Sequence, residues 1–371
     1  MRGHGDGVGR SADSAAGRNR RAAGARDRAG RLPGVPAVTA TLQDLLDRLH
    51  VVTLSMRVRF RGITTREVAL IEGPAGWGEF GPFVEYPPPE ASAWLASAIE
   101  AAYRESPGAR RDRVPINATV PAVSAAQVPE LLARFPGART AKVKVAEPGQ
   151  SLADDLARVN AVRALVPTVR VDANGGWTVA QAAAAAAALT ADGPLEYLEQ
   201  PCATVAELAA LRRRIDVPIA ADEAIRKADD PLVVVRAGAA DIAVLKVAPL
   251  GGVSALLDIA AQIDIPVVIS SALDSAVGIS HGLTAAAALP ELHYACGLGT
   301  GGLFVEDVAE PAVPVDGTLA VGPVTPDPER LQALAARADR RQWWIDRIRA
   351  CYPLLYRRSG DQPGLRRQRD R

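Results

Sequence analysis

The run Thr140-Ala-Lys-Val-Lys-Val-Ala146 carries two amines, Lys142 and Lys144, two residues apart among small apolar neighbours. Alternate residues of a strand share a face, so both ammonium groups would project side by side. A packed core rejects such a pair, whereas a proton-transfer site can use it, because lysine loses its proton at accessible pH and arginine does not. Residue usage points the same way: of 43 basic side chains only four are lysines, Lys142, Lys144, Lys227 and Lys246, and all the others are arginines.

Three carboxylates and a further amine stand at the ends of later β-rich runs. They are Asp172 in Val171-Asp-Ala-Asn-Gly-Gly-Trp177, Glu199 in Tyr197-Leu-Glu-Gln-Pro201, Asp222 in Ala220-Ala-Asp-Glu-Ala224, and Lys246 in Val244-Leu-Lys-Val-Ala-Pro249. Singly, each acid reads equally as a helix cap or strand-end hydrogen-bonder. At corresponding places in consecutive repeats, the three form a hard oxygen set suited to Mg²⁺, with Mn²⁺ as a substitute. A lysine beside a divalent cation and a second ammonium is biased toward its neutral form and can act as a base. The metal would stabilise the enediolate formed when a proton leaves the carbon next to a carboxylate.

The elements that must position these groups alternate. Strand candidates at 114–120, 140–145, 169–172, 195–199, 218–222, 242–247, 266–270 and 292–297 are separated by helical candidates at 153–165, 179–190, 205–215, 231–237 and 253–263. Seven or eight β-α repeats argue for a parallel sheet, and eight favour closure into a (β/α)₈-type barrel, a modified TIM barrel with chemistry at the C-terminal strand ends, over an open doubly wound sheet. Before it, a helix at 42–49, strands at 51–60 and 67–72, a strand or tight loop at 76–81 and a helix at 91–103 read as a smaller α+β capping domain. The expected division is 1–38, an Arg/Gly/Ala-rich disordered extension; 39–112, the cap; 113–302, the barrel; 303–357, a segment returning to the cap through a strand at 303–309 and a Trp343-Trp344 helix; and 358–371, a basic tail.

Composition narrows the function classes. With 371 residues, 48% hydrophobic, 23% charged and a net charge of +1, the chain reads as a globular enzyme-sized protein, not a dedicated nucleic-acid or acidic-membrane binder. Three scattered cysteines argue against a disulfide framework or zinc cluster and fit the cytoplasm. No apolar run reaches membrane-spanning length. The expected partner is a small-molecule carboxylate substrate, with neither nucleic acid nor membrane, and the oligomeric state is open.

The series KxK, DANGGW, LEQP, ADE and LKVAPLGG resembles the enolase superfamily, in its muconate-lactonising-enzyme-like branch, over roughly residues 40–325. Within that branch, RFRGITTRE, GWGEFGPF, RTAKVKVAE and SSALDSAVGIS resemble the o-succinylbenzoate synthase family of actinobacterial type. The resemblance implies an enolase-like barrel and a Mg²⁺-dependent dehydratase of menaquinone biosynthesis. Such an enzyme eliminates water from 2-succinyl-6-hydroxy-2,4-cyclohexadiene-1-carboxylate to give 2-succinylbenzoate. It implies Asp172, Glu199 and Asp222 as metal ligands, and Lys144 as the base that removes the proton alpha to the carboxylate and then protonates the departing hydroxyl in a syn elimination. Lys246 would be the cation on the opposite face, and Lys142 would tune Lys144. An N-succinylamino-acid racemase or dipeptide epimerase would use the same scaffold, and a catalytically inactive binding barrel is the reading from another class.

Further candidates surround this set. Asn174 and Glu223 are expected to support the metal ligands. Ser270, Ser271 and the stretch Gly297-Leu-Gly-Thr-Gly-Gly302, with Gly299 and Thr300, would hold the succinyl carboxylate, although the glycines read equally as a plain turn. Arg59 and Arg61, on the cap's basic turn, would close over the substrate. Arg170 shares strand parity with Asp172 and is expected one layer down as a charge-balancing group. Lys227 reads as solvated, His281 and His293 lack a spaced partner, and Trp77 and Trp177 are possible pocket walls.

Overall fold

The computed structural model describes residues 40–228 and 230–358. The extension expected over 1–38 and the tail beyond residue 358 lie outside them. A three-stranded antiparallel sheet, β1 (Leu49–Phe60), β2 (Ile63–Gly73) and β3 (Gly76–Phe80), opens the chain. Helix Pro88–Tyr103 lies directly on it, because glycine takes the contact rows: a Cβ at Gly78 would stand 1.9 Å from the Ala98 carbonyl oxygen, and one at Gly73 2.1 Å from that of Ala102. Helix Ala338–Arg358 packs on the same helix and is pinned to β2, where Glu67 accepts from the Trp344 indole at 3.0 Å and from Arg340 at 2.7 Å.

Seven parallel strands follow: β5 (Ala118–Val120), β6 (Thr140–Lys144), β7 (Thr168–Asp172), β8 (Leu198–Glu199), β9 (Ile219–Ala221), β10 (Ile242–Lys246) and β11 (Val267–Ser270). Each pairs with its sequence neighbour. Their Ala, Val, Ile and Leu side chains are buried on both faces, as a sheet wrapped in helices requires. Three of those helices, Leu152–Arg163, Val179–Thr190 and Val205–Arg212, begin on the same device: Ser151, Thr178 and Thr204 exchange hydrogen bonds with Asp154, Gln181 and Glu207 three residues on.

The expected strand at 114–120 is two elements. β4 (Arg113–Pro115) ends at a proline that has no N–H for a ladder and pairs antiparallel with β12 (Thr318–Ala320), while β5 alone enters the barrel. The expected eighth strand at 292–297 is reduced to parallel bridges at Cys296 with Ile116 and Gly297 with Ser270, which span the gap between β5 and β11. The return strand expected at 303–309 is a short turn, Thr300–Leu303, and one bridge between Phe304 and Met56, because the Asp307 carboxylate takes the Ala276 and Val308 amides and bends the chain. Helix Ala276–Ala288 carries poor helix formers for packing reasons: a Cβ at Gly282 would lie 2.4 Å from Leu298 Cδ2. Among the described residues no helix is long and apolar enough to cross a membrane.

Candidate active site

Register brings the chemistry together. Lys144 is opposite Asp172, Asp172 opposite Glu199, Glu199 opposite Ala220 two residues before Asp222, and Lys246 opposite Ser270, so the C-terminal strand ends form one continuous arc. All six ionic side chains are buried, from 0% exposure at Glu199 and Asp222 to 7% at Lys144 and Lys246. A cavity of about 450 Å³, including its open mouth, is lined by Lys142, Lys144, Asp172, Lys246, Ser270, Ser271, Thr300 and, from the cap, Phe60, Arg61 and Phe83.

Each acid accepts from one amine, and Asp172 has Lys142 Nζ beside it as well, at 3.6 Å. Lys144 Nζ donates to Asp172 Oδ2, Lys142 Nζ to both Glu199 oxygens at 2.8 and 2.9 Å, and Lys246 Nζ to Asp222 Oδ2 at 2.6 Å. Among the described residues no three acid, histidine or cysteine groups converge as a ready-made metal cage, because each carboxylate points at its ammonium. The donor set nevertheless fits a hard cation: three buried carboxylates on adjacent strands, with no histidine or thiol lining the cavity. Burial pushes the Glu199 carboxyl above the usual range, and the neighbouring Asp172 and Asp222 charges add to that against the pull of Lys142. Burial also disfavours ionised Asp172 and Asp222, but Lys144 and Lys142 at the first, and Lys246 and Arg226 at the second, hold both below the usual carboxylate range.

The paired lysines are driven apart. Burial works against charge on Lys142, yet Glu199 and Asp172 outweigh it and raise its pKa. At Lys144 burial prevails, opposed by Asp172 and assisted by Lys142 and Arg61, and the pKa falls. Lys144 Nζ also lies 5.2 Å from the Phe60 ring centroid and donates to Asn174 Oδ1 at 2.9 Å. Asn174 in turn donates to Glu223 Oε1 at 3.3 Å, and Arg61 stands 3.7 Å from that oxygen.

Backbone strain clusters at the same rim. Ala146, Asn174, Gln200 and Leu273, each one to three residues past a site strand, have φ of +59°, +47°, +39° and +59°. For residues with a Cβ this left-handed conformation costs energy and persists only where surroundings impose it.

Of the expected substrate groups, Ser271 donates to the Gly297 carbonyl and meets Thr300 Oγ1, both at 2.8 Å, while Ser270 is 3.5 Å from the same carbonyl. Gly299 does not line this cavity: the Thr300–Leu303 turn directs it at the Asn117 carbonyl, 2.9 Å from where its Cβ would be. Arg59 is exposed on the β1–β2 hairpin and is not among the lining residues, whereas the positive φ of Arg61, +50°, accompanies its approach. Arg170 lies in the barrel interior, bonded to Glu196 and to the Ala295 carbonyl at 2.7 Å, with Tyr197 and Tyr294 on its faces. Lys227 is exposed, 5.1 Å from the Tyr86 ring. His281 is occupied by the Trp77 carbonyl, and His293 pairs with Glu291 away from the cavity. Neither Trp77 nor Trp177 lines it.

Sequence reasoning passed over several contributors. Gln200 Oε1 accepts from the Asp222 and Ala224 amides, fixing the start of the loop that carries Asp222, and Arg226 donates from Nε to Asp222 Oδ1 at 3.0 Å and from Nη1 to Tyr86 Oη at 2.8 Å. Arg226 follows Asp222 by one helical turn, which is the signal that could have found it. Phe60 and Phe83 lie inside the cap motifs RFRGITTRE and GWGEFGPF but were not singled out there, and Thr119 joins from β5 without a local signal.

The sequence pattern of the family described as "Enolase C-terminal domain-like" matches residues 125–330, and that described as "Enolase N-terminal domain-like" matches 51–102. Among similar solved structures, muconate lactonizing enzyme from Pseudomonas fluorescens, complexed with muconolactone, superposes with a TM-score of 0.67 at 23% identity, over 78% of this chain and 98% of that one. The Pseudomonas putida enzyme gives 0.65 at 22% identity over the same shares. Among curated relatives, the o-succinylbenzoate synthase of Mycobacterium marinum is 84% identical over 87% of this chain and 98% of its own length. That of Mycobacterium leprae is 79% identical over 89% and 99%, and that of Mycobacterium tuberculosis 81% over 86% and 98%. Motifs, barrel and relatives agree: the chain belongs to the o-succinylbenzoate synthase family of the enolase superfamily.

Proposed function

We propose that the chain dehydrates 2-succinyl-6-hydroxy-2,4-cyclohexadiene-1-carboxylate to 2-succinylbenzoate, the step its family name denotes. The observation that carries this reading is that Lys144, with its lowered pKa, and Lys246 both enter one cavity that Asp172 also lines, with Glu199 and Asp222 at the ends of the next two strands. Asp172, Glu199 and Asp222 would hold Mg²⁺, or Mn²⁺ in its place. Bound there, the ion would offset the negative charge that develops on the substrate carboxylate as its alpha proton leaves.

Lys144 in its neutral form takes that proton, the C–H electrons form the new ring double bond, and the C–O bond to the hydroxyl breaks. The ammonium of Lys144 returns a proton to the departing hydroxide on the same face, so one residue completes a syn elimination and water leaves. Lys246 stays charged on the opposing side, and Lys142, held cationic by Glu199, keeps the Lys144 pKa down. Ser271 and Thr300 offer hydroxyls to the succinyl carboxylate, Arg61 offers a guanidinium at the mouth, and Phe60 and Phe83 supply apolar walls for the ring.

Opposed lysines would also serve a racemase acting on N-succinyl amino acids, so the assay must separate the two. Purified protein with Mg²⁺ and the cyclohexadiene should produce the aromatic product by ultraviolet absorbance. No aromatisation, together with racemisation of N-succinyl amino acids, would reverse the assignment.

A further inference from the structure

The cavity wall beyond β11 is shaped from the other domain. Leu273, buried and in the left-handed conformation at φ +59°, lines the cavity with Ala272 and Ser271. Its carbonyl accepts from Arg66 Nε at 3.1 Å, and Arg66 sits on β2 of the cap with only 3% of its surface exposed. The same guanidinium donates through Nη2 to the Gly81 carbonyl and lies 4.7 Å from the ring centroid of Phe83, the cap's own wall residue. Gly81 suits that approach, since a Cβ there would stand 3.0 Å from Arg66 Nη2 and 2.9 Å from Val68 Cγ1.

Just past Leu273 the cap takes hold again. Glu79 on β3 accepts from the Ser275 and Gly278 amides, each at 3.1 Å, and from the Ser275 hydroxyl, while the Asp274 carboxylate accepts from the Ala272 amide at 3.1 Å within the loop. The loop that faces substrate thus has a carbonyl held by Arg66 and amides held by Glu79. Arg66 differs from Glu79 in also fixing the facing wall. A planar fork that bridges two carbonyls at a set divergence and stacks on an aromatic ring is a task for guanidinium, not for a point ammonium.

We propose that Arg66 is a positioning residue that sets the separation of the Phe83 and Leu273 walls, and so governs substrate binding without entering the proton chemistry. The inference rests on the dehydratase reading for its substrate. Arg66→Lys and Arg66→Met should each raise KM and weaken 2-succinylbenzoate binding, read by calorimetry, by about tenfold or more, with kcat within about threefold of the parent. Glu67→Gln, on the same strand but facing the C-terminal helix, should lower the melting temperature and leave KM unchanged.

If the Arg66 variants fail to fold, Leu273→Gly and Phe83→Ala replace them and should show the same KM-only signature. KM and product affinity that stay at parent values in the folded variants, or a fall in kcat without a rise in KM, would overturn the proposal. Absence of aromatic product from the parent chain would count against the reaction, and the Arg66 effect would then be read as KM for an N-succinyl amino acid.

Discussion

Lys144 and Asp172 are ladder partners across β6 and β7, and the amine of one donates to the carboxylate of the other. The proposed base and the first proposed metal ligand are therefore fixed to each other by backbone register. Lys246, at the end of β10, reaches Asp222 by its side chain alone, since the β9–β10 register leaves the two residues offset along the strands. In the proposed mechanism the two lysines share surroundings but not tasks: Lys144 is the base and Lys246 the cation on the opposing side.

That difference is testable by replacing each with a permanent cation. Lys246→Arg should retain measurable turnover, while Lys144→Arg should lose roughly 10²–10⁴-fold in kcat, the usual share of a general base. Steady-state kinetics on both variants checks it, and equal losses would assign proton transfer to both faces.

Metal removal gives a second outcome. Dialysis against EDTA should abolish turnover and Mg²⁺ should restore it, with Mn²⁺ a partial substitute. Asp172→Asn, Glu199→Gln and Asp222→Asn should each cost several kcal/mol of barrier, or about 10³-fold. Turnover that persists in EDTA would remove the metal from the mechanism.

His281 offers a pH signature away from the chemistry. Burial pushes its pKa down to about 4, from an ordinary value near 6.5, against the opposing effect of its hydrogen bond to the Trp77 carbonyl. The unfolded chain therefore binds a proton that the folded chain refuses between those values, and stability falls as pH drops through that window. Buried acids with raised pKa, such as Asp307 at about 6, act in the opposite sense, so the His281 share must be read as a difference. The stability of the parent relative to His281→Gln should decline from pH 7 to pH 4, by up to about 3 kcal/mol, in urea unfolding. A pH-independent difference would contradict it.

Arg170 should prove structural. Its bond to the Ala295 carbonyl ties β7 to the bridging segment that stands in for an eighth strand, and its bond to Glu196 ties β7 to the approach to β8. Arg170→Met should cost roughly 2–4 kcal/mol of stability, while the folded fraction keeps its KM. A marked KM change without loss of stability would place Arg170 in substrate binding instead.

The ionic site was legible because its chemistry is written in residue types at strand ends. Lysine among arginines, and acids closing short apolar runs, survive without any knowledge of packing. Which acid meets which amine was not legible, because that follows from strand register and side-chain reach. The cap's contributions were equally hidden: Arg66 meets Leu273 and Phe60 meets Lys144 only after two domains pack. Arg59 and Arg61 look alike in sequence, and the turn conformation alone sends Arg61 to the cavity. Alternation disclosed the barrel, but not the eighth strand's reduction to isolated bridges or the helix Ala276–Ala288 with glycines at its contacts.

In the proposed mechanism everything turns on Lys144 moving the proton. The most direct test of that step is aromatic product formation, followed by ultraviolet absorbance, by the parent chain and Lys144→Ala at saturating Mg²⁺, with circular dichroism confirming that both are folded. Product from the parent and a loss of at least about 10³-fold in the variant are expected. A folded Lys144→Ala protein that turns over within tenfold of the parent would contradict the mechanism.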